Sequence, residues 1–298
     1  RLALGAGDHA GMIAAGAGNA THYQDFLLGG VATWLAERFE TQGVPQAVTT
    51  ACASGASAIQ LAIEAIRRGE ADCAIAGGAE ASLQPEAFIR FGLLQALSGR
   101  NEPPDSVSRP FTQSRDGFVM GDGAGALILE SEAHARARGA TILGYILGVG
   151  EAADTFHRTR SSPDGHAIVA AMERALADAG LTPAEVGYIN AHGTSTPEND
   201  KMETLAAKLV FGTEAPPPIS STKSMIGHTL SAAGAIEAGV CLLALRDQFL
   251  PPTINQDDPD PEIGMDTVPV GRPHDFRAAL SNSFGFGGQN VCVVVGAA

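Results

Sequence analysis

Long apolar runs are missing from this 298-residue sequence. None approaches the ~20 residues that a membrane-spanning helix needs, so membrane insertion is not expected. The opening stretch RLALGAGDHAGM lacks the basic and apolar regions of a secretory signal. Cations are scarce: 19 Lys and Arg stand against 33 Asp and Glu, a formal net charge of −14. That balance repels phosphate backbones and excludes general nucleic-acid binding. Cysteines number four, at 52, 73, 241 and 292, with no CxxC pair. So few fit a reducing, cytoplasmic compartment better than a disulfide framework. The eight histidines keep no zinc-ligand spacing with them, and no metal centre is expected. A Walker motif, a G-x-S-x-G elbow, short repeats and low-complexity tracts are absent too.

What the sequence does hold is an apolar fraction of 45 % and 36 glycines. The apolar share argues against disorder, and the length suffices for a large core or two fused ones. The spacing predicts helices over 56–68, 165–179, 199–211 and 232–246. Strands are expected at 47–50, 71–76, 124–129, 141–150, 187–190, 218–221, 278–281 and 291–295. Gly77-Gly78 is read as a strand stop, Gly69 and Gly180 as helix closures, and Gly234 and Gly239 as close-packing positions. The segment DDPDPE from Asp257 reads as an acidic surface turn. Such alternation implies an α/β layered fold with a mixed sheet. A restart near residue 140 suggests two related halves, 1–139 and 140–298.

Three spots carry reactive groups where a strand ends. Cys52 lies between a β-prone run and a helix start, where free N–H groups and the helix dipole lower a thiol pKa. Its other reading is a small core cysteine, which is the reading kept for Cys73, Cys241 and Cys292. His192 sits in NAHGTST, at the carboxyl end of a strand, where ligands of open α/β sheets collect. Lys223 and His228 sit in SSTKSMIGH, after another strand. Taken singly, the histidines and the lysine read equally as turn or solvated loop residues. Together, one thiol, two imidazoles and the Gly-rich turn from Phe284 to Gly288 are equipment for acyl transfer through a thioester with an enolate step. Gly121 to Gly125 looks like a dinucleotide fingerprint, but it leads into a strand rather than a helix and is rejected.

TACASG at Cys52, NAHGTSTP at His192, STKSMIGH at His228 and SNSFGFGG from Ser281 resemble the β-ketoacyl-acyl carrier protein synthases. The likeness is strongest to the synthase II type and its type II polyketide relatives, and Arg100 to Glu130 shares it. The resemblance implies a thiolase-like α/β fold, two βαβαβαββ halves in five layers, here lacking the N-terminal part of the first half. It implies decarboxylative condensation of an acyl-Cys52 intermediate with malonyl-acyl carrier protein. In that scheme Cys52 is the nucleophile, and the N–H groups of Cys52 and Phe286 form the oxyanion hole. His192 and His228 hold the malonyl thioester and its enolate. Lys223 supports them, with Glu203 paired to it or ordering water.

Thr194 and Thr196 are implied to bind the pantetheine arm, with Phe286 gating the acyl pocket and Phe91 lining it. Asn190, Glu237, Ser281 and Asn282 match a structural site that holds a monovalent cation in some members, and Glu237 reads alternatively as a buried carboxylate bonded to backbone. No cofactor is implied beyond the carrier's phosphopantetheine. Expected partners are an acidic acyl carrier protein and a second copy of the chain in a cytoplasmic homodimer. Arg67, Arg68, Arg90 and Arg100 are candidates for gripping the carrier, or are simply solvated. Residues 1–30 resemble a shortened lead-in, and Gln95, Ile226 and Gln289 depart from the family's usual residues. Two other functions fit the motifs less well: a thiolase-like transferase on coenzyme A esters, and a non-catalytic chain-length-factor-like subunit. The first uses a second cysteine that the 283–286 turn lacks, and the second lacks the nucleophile that is present here.

Overall fold

The computed structural model describes residues 29–298, so most of the 1–30 lead-in lies outside the described residues. In chain order the elements are α1 (Gly30–Phe39), α2 (Ser54–Arg67), β1 (Cys73–Glu80), α3 (Pro85–Leu93), β2 (Gly123–Glu130), α4 (Glu132–Ala137), β3 (Tyr145–Ala153), α5 (His166–Ala179) and β4 (Tyr188–Asn190). They continue with α6 (Pro197–Phe211), β5 (Ile219–Ser220), α7 (Lys223–Ile226), α8 (Ala233–Asp247), β6 (Phe249–Leu250), β7 (Arg272–Pro273), β8 (Ala278–Gly285) and β9 (Gln289–Gly296).

The second half builds one five-stranded mixed sheet in the order β3-β9-β8-β4-β5. Alternation along its strands sorts side chains to two faces. Val291, Val293 and Val295 of β9 face a core with α2 and α8, while Cys292 and Val294 face one with α5 and α6. Tyr188 and Ile189 of β4 divide the same way, as do Ala279 and Leu280 of β8. Continuous apolar strands are what a sheet covered on both faces requires. On the far side of α2 and α8 lies the antiparallel β1–β2 pair. The described residues therefore form four layers: a two-stranded sheet, two helices, a five-stranded sheet and two more helices.

Helix limits follow their caps. Thr196 accepts from the Asn199 N–H at the start of α6, with Pro197 in its first turn. Gly180, at φ 66°, closes α5 as expected.

Several expectations need correction. Residues 47–50 form no strand: among the described residues they join no sheet ladder. Gly77 and Gly78 do not stop β1, which continues to Glu80. They sit inside it because a Cβ at Gly77 would come within 2.6 Å of the Gly125 carbonyl oxygen, and one at Gly78 within 2.5 Å of that of Ser231. The strand expected from residue 141 begins at Tyr145. Cys73, taken as a core residue, is exposed at the start of β1, while Cys241 and Cys292 are buried. The acidic turn does more than face solvent: the Asp258 carboxylate accepts from the Ser114 N–H and Asp260 pairs with Arg115.

Helices α2 and α8 cross through a reciprocal pair of glycines. A Cβ on Gly55 would lie 2.6 Å from the Ala235 nitrogen, and one on Gly234 would lie 2.5 Å from the Ala56 nitrogen. Gly239, expected to serve likewise, meets nothing within 4 Å. Gly234→Ala should therefore cost about 1–3 kcal/mol through overpacking, whereas Gly239→Ala should be neutral or gain about 0.5–1 kcal/mol of helix propensity. Urea unfolding of both variants tests this, and equal midpoints would refute the close crossing.

Candidate active site

Three parallel strands deliver their carboxyl ends to one place. Asn190 of β4 stands beside Ser220 of β5 and beside Ser281 of β8. Beyond β4 comes His192, beyond β5 come Lys223 and His228, and β8 runs on through Phe284 to the turn with Phe286. The fourth contribution arrives from the first half. Cys52 occupies a 3-10 turn at the head of α2, directly after Ala51 at φ 49°. Two serines hold that turn. Ser54 Oγ accepts from the Thr50 N–H at 3.0 Å and donates to the Ala51 carbonyl at 2.7 Å, and Ser57 Oγ bonds the Thr50 hydroxyl at 2.8 Å.

The structure brings Cys52, His192 and His228 together. The thiol sulfur and one ring nitrogen of each histidine all lie within 4.8 Å of one another, and all three residues are buried. The imidazoles meet edge to face, with centroids 5.2 Å apart. His228 is gripped through its backbone. Its N–H donates to the Val119 carbonyl at 2.6 Å, and its carbonyl accepts from Gly121 at 3.0 Å. Its Nδ1 accepts from the Leu230 N–H at 3.3 Å, so the ring proton belongs on Nε2, which is buried with no partner. Phe118 packs on this ring edge-on, and Phe284 does the same for His192.

His192 is held by Glu203, and here one of the two roles expected of that carboxylate, pairing with Lys223, fails. Glu203 does not pair with Lys223. Its two oxygens accept from the N–H groups of His192 and Gly193, each at 2.8 Å, and from the Asn282 amide at 2.9 Å. The ammonium of Lys223 pairs instead with Glu237, both being almost wholly buried. Glu237 is thus the counter-ion of the site and not a carboxylate bonded to backbone. Its second oxygen and Asn190 Oδ1 are buried without a partner. Unpaired acceptors of that type suit a hard cation, while Asn282 is already committed to Glu203 and Ser281 to the Cys241 thiol.

Burial decides the electrostatics. It holds both imidazoles well below their usual range, helped by the Lys223 charge, so both are neutral at physiological pH. Burial also pushes the Cys52 thiol up to about 11, against the lowering expected from its helix terminus. Lys223 and the N–H groups of Phe286 and Cys52 oppose the rise but do not cancel it. Glu237 is raised to about 7 by burial, with Lys223 opposing.

Phe91 and Phe286 pack with Ala96, Phe118, Met120 and Leu230 in an apolar cluster around Cys52. Phe118 and Met120 are not singled out individually by sequence, although FVM stands as an apolar island between an Asp-Gly and a Gly-Asp pair. The hydroxyls of Thr194 and Thr196 bond each other at 2.9 Å. Arg67, Arg68, Arg90 and Arg100 are exposed, and each lies within 4.0 Å of a carboxylate.

No helix among the described residues is long and apolar enough to cross a membrane. The family model for the β-ketoacyl synthase N-terminal domain matches residues 10–135, and that for the C-terminal domain matches 143–257. The 3-oxoacyl-acyl-carrier-protein synthase 2 of Vibrio harveyi is 47 % identical over 83 % of this chain, and its namesake from Synechocystis is 48 % identical over 84 %. The chain spans about 60 % of the length of these relatives. A solved type II PKS acyl-carrier protein in complex with its ketosynthase bound to the hexaketide matches with a TM-score of 0.91 at 39 % identity, over 94 % of this chain and 69 % of that one. A β-ketoacyl synthase from Burkholderia phymatum gives 0.91 at 37 %, over 97 % of this chain and 71 % of its own. A ketosynthase structure from Xenorhabdus doucetiae, in complex with its chain length factor, gives 0.82 at 35 %, over 98 % and 70 %.

The raised thiol makes a signed prediction. Alkylation of Cys52 by iodoacetamide, followed by peptide mass mapping, should accelerate through alkaline pH toward a midpoint near 11. Lys223→Met removes a cation that favours the thiolate, so the midpoint should rise further and the rate at pH 8 should fall, about tenfold per pKa unit. An unchanged or faster rate would contradict the electrostatic role of Lys223.

Proposed function

The chain belongs to the β-ketoacyl synthase family, and on that premise we propose that it is a decarboxylating condensing enzyme, joining an acyl group on Cys52 to a malonyl unit borne by acyl carrier protein. Its place is chain elongation in fatty acid synthesis or the type II polyketide counterpart. The observation that carries this reading is the cluster of one thiol and two neutral imidazoles within 4.8 Å, built from both halves of the chain.

In the first step Cys52 Sγ adds to the carbonyl of an acyl thioester and sheds its proton as it does so. The N–H groups of Cys52 and Phe286 lie beside the sulfur, suited to the oxyanion that forms there. The carrier's thiol leaves with the proton, and the acyl chain lodges in the cluster of Phe91, Phe118 and Phe286. In the second step the malonyl thioester carbonyl accepts hydrogen bonds from His192 and from Nε2–H of His228. Loss of carbon dioxide leaves an enolate held by those donors. Its carbon attacks the Cys52 thioester, the thiolate departs and regains a proton, and a β-ketoacyl product two carbons longer is released. Neutral imidazoles serve here as donors, and Lys223 adds positive charge nearby.

Thr194 and Thr196 are read as contacts for the pantetheine arm. A monovalent cation beside Glu237 and Asn190 is read as structural. A cytoplasmic homodimer and a division into halves near residue 139 complete the proposal. A thiolase-like course is disfavoured because the segment from Ser283 to Phe286, at the end of β8, offers no second cysteine.

Incubation with acyl carrier protein thioesters tests the reading. Intact mass should show one acyl group on the wild type and none on Cys52→Ala. His228→Ala should lower carbon dioxide release from malonyl carrier protein by about 10²–10³, the usual effect of losing one oxyanion donor. Stoichiometric labelling of Cys52→Ala, or absence of carbon dioxide release from the wild type, would overturn it.

A further inference from the structure

We propose that Arg115 is a positioning residue that fixes His192 and His228 relative to one another; this rests on the condensing-enzyme reading for its catalytic consequence. The side chain is buried and reaches in several directions. Nη1 donates to the Thr112 carbonyl at 2.5 Å and to Asp260 Oδ2 at 2.6 Å, and Nη2 donates to the Pro197 carbonyl at 3.2 Å. Nε lies 3.8 Å from Asp200 Oδ2. That aspartate is fully enclosed and also accepts from the Phe111 N–H at 2.9 Å.

Two arms lead from this guanidinium to the two histidines. Along the chain, Gly117 donates to the Ser195 carbonyl at 3.0 Å, Phe118 lies edge-on against the His228 ring, and Val119 and Gly121 grip the His228 backbone. Across the interface, Pro197 and Asp200 form the first turn of α6. Glu203, one turn further along, holds the N–H groups of His192 and Gly193. One planar cation therefore ties the segment that clamps His228 to the helix that clamps His192. Only a guanidinium offers donors in such a fork, and an ammonium cannot reach the two carbonyls and Asp260 at once.

Stability alone does not account for it. A buried cation with two carboxylates costs desolvation that well-packed apolar groups would avoid. Keeping such a group makes sense where the separation of two reacting groups has to be exact to a fraction of an ångström, since a misplacement of 1 Å can cost about 10² in rate.

The test uses the full chain with Arg115→Met and Arg115→Lys. ¹⁵N spectra of the imidazoles report position without requiring activity, and both His192 and His228 signals should move in each variant. In the condensing assays, Cys52 acylation should stay within about threefold, whereas carbon dioxide release should fall at least tenfold in kcat with little change in KM. Lysine should fail to rescue. Parallel loss of both half-reactions, or imidazole signals at their wild-type positions, would overturn the proposal. If Arg115→Met does not fold, Asp260→Ala removes that acceptor alone and should give smaller changes in the same direction; none would count against the clamp. A wild type without carbon dioxide release would count against the function, and the imidazole spectra would still decide the role of Arg115.

Discussion

One buried ammonium governs this site. Lys223 is enclosed and ion-paired with Glu237, and its charge acts on Cys52, His192 and His228. The sign differs with the group it meets. Beside a thiol it favours the ionised form, and beside an imidazole it disfavours the protonated one. The same cation therefore makes the nucleophile easier to ionise and keeps the two imidazoles neutral. Burial does more than the cation in every case, so Cys52 still rests as a thiol. In the proposed reaction that proton leaves as the carbon–sulfur bond forms, and the N–H groups of Cys52 and Phe286 are placed to help once charge appears.

The placement of the chemistry was largely legible in the sequence, because strand ends leave a local trace. Apolar runs stop at Asn190 and Ser220, and reactive residues follow at once. Parallel pairing then brings those loops to a common edge. What the sequence did not reveal were the partners. Glu203 and Glu237 are both carboxylates in helices, and nothing in their spacing says which one faces Lys223. The answer lies in how α6 and α8 approach the sheet from opposite faces. The thiol's ionisation is hidden from the sequence for a related reason. A helix terminus is visible in the sequence, while the enclosure that outweighs it comes from Phe118, Met120, Leu230 and other residues distant along the chain.

Glycine shows the same limit. Gly180 closes a helix by a local rule that its sequence position shows. Gly77 and Gly78 looked like a strand end and are instead points where β2 and the Ser231 carbonyl come too near for a side chain. Local sequence cannot separate a glycine needed for backbone freedom from one needed for space, since both leave the same residue.

The crossing of α2 and α8 joins these threads. Gly55 lies three residues from the nucleophile, and Gly234 lies one turn before Glu237. Their mutual contact brings the helix that presents Cys52 close to the helix that neutralises Lys223. A larger residue at either position would push the thiol away from the cation, although neither glycine touches a reacting atom. The distance from sulfur to imidazole is thus a property of the packing between distant stretches of the chain. Cys52 comes from the head of α2, whereas both histidines, the lysine and its counter-ion all come from beyond β4. At the glycine crossing itself the side chains are small. Ala53, Ala56 and Ala238 lie in the shared core with the two glycines beside them, and such residues let backbones approach closely while leaving few rotamers to blur the geometry.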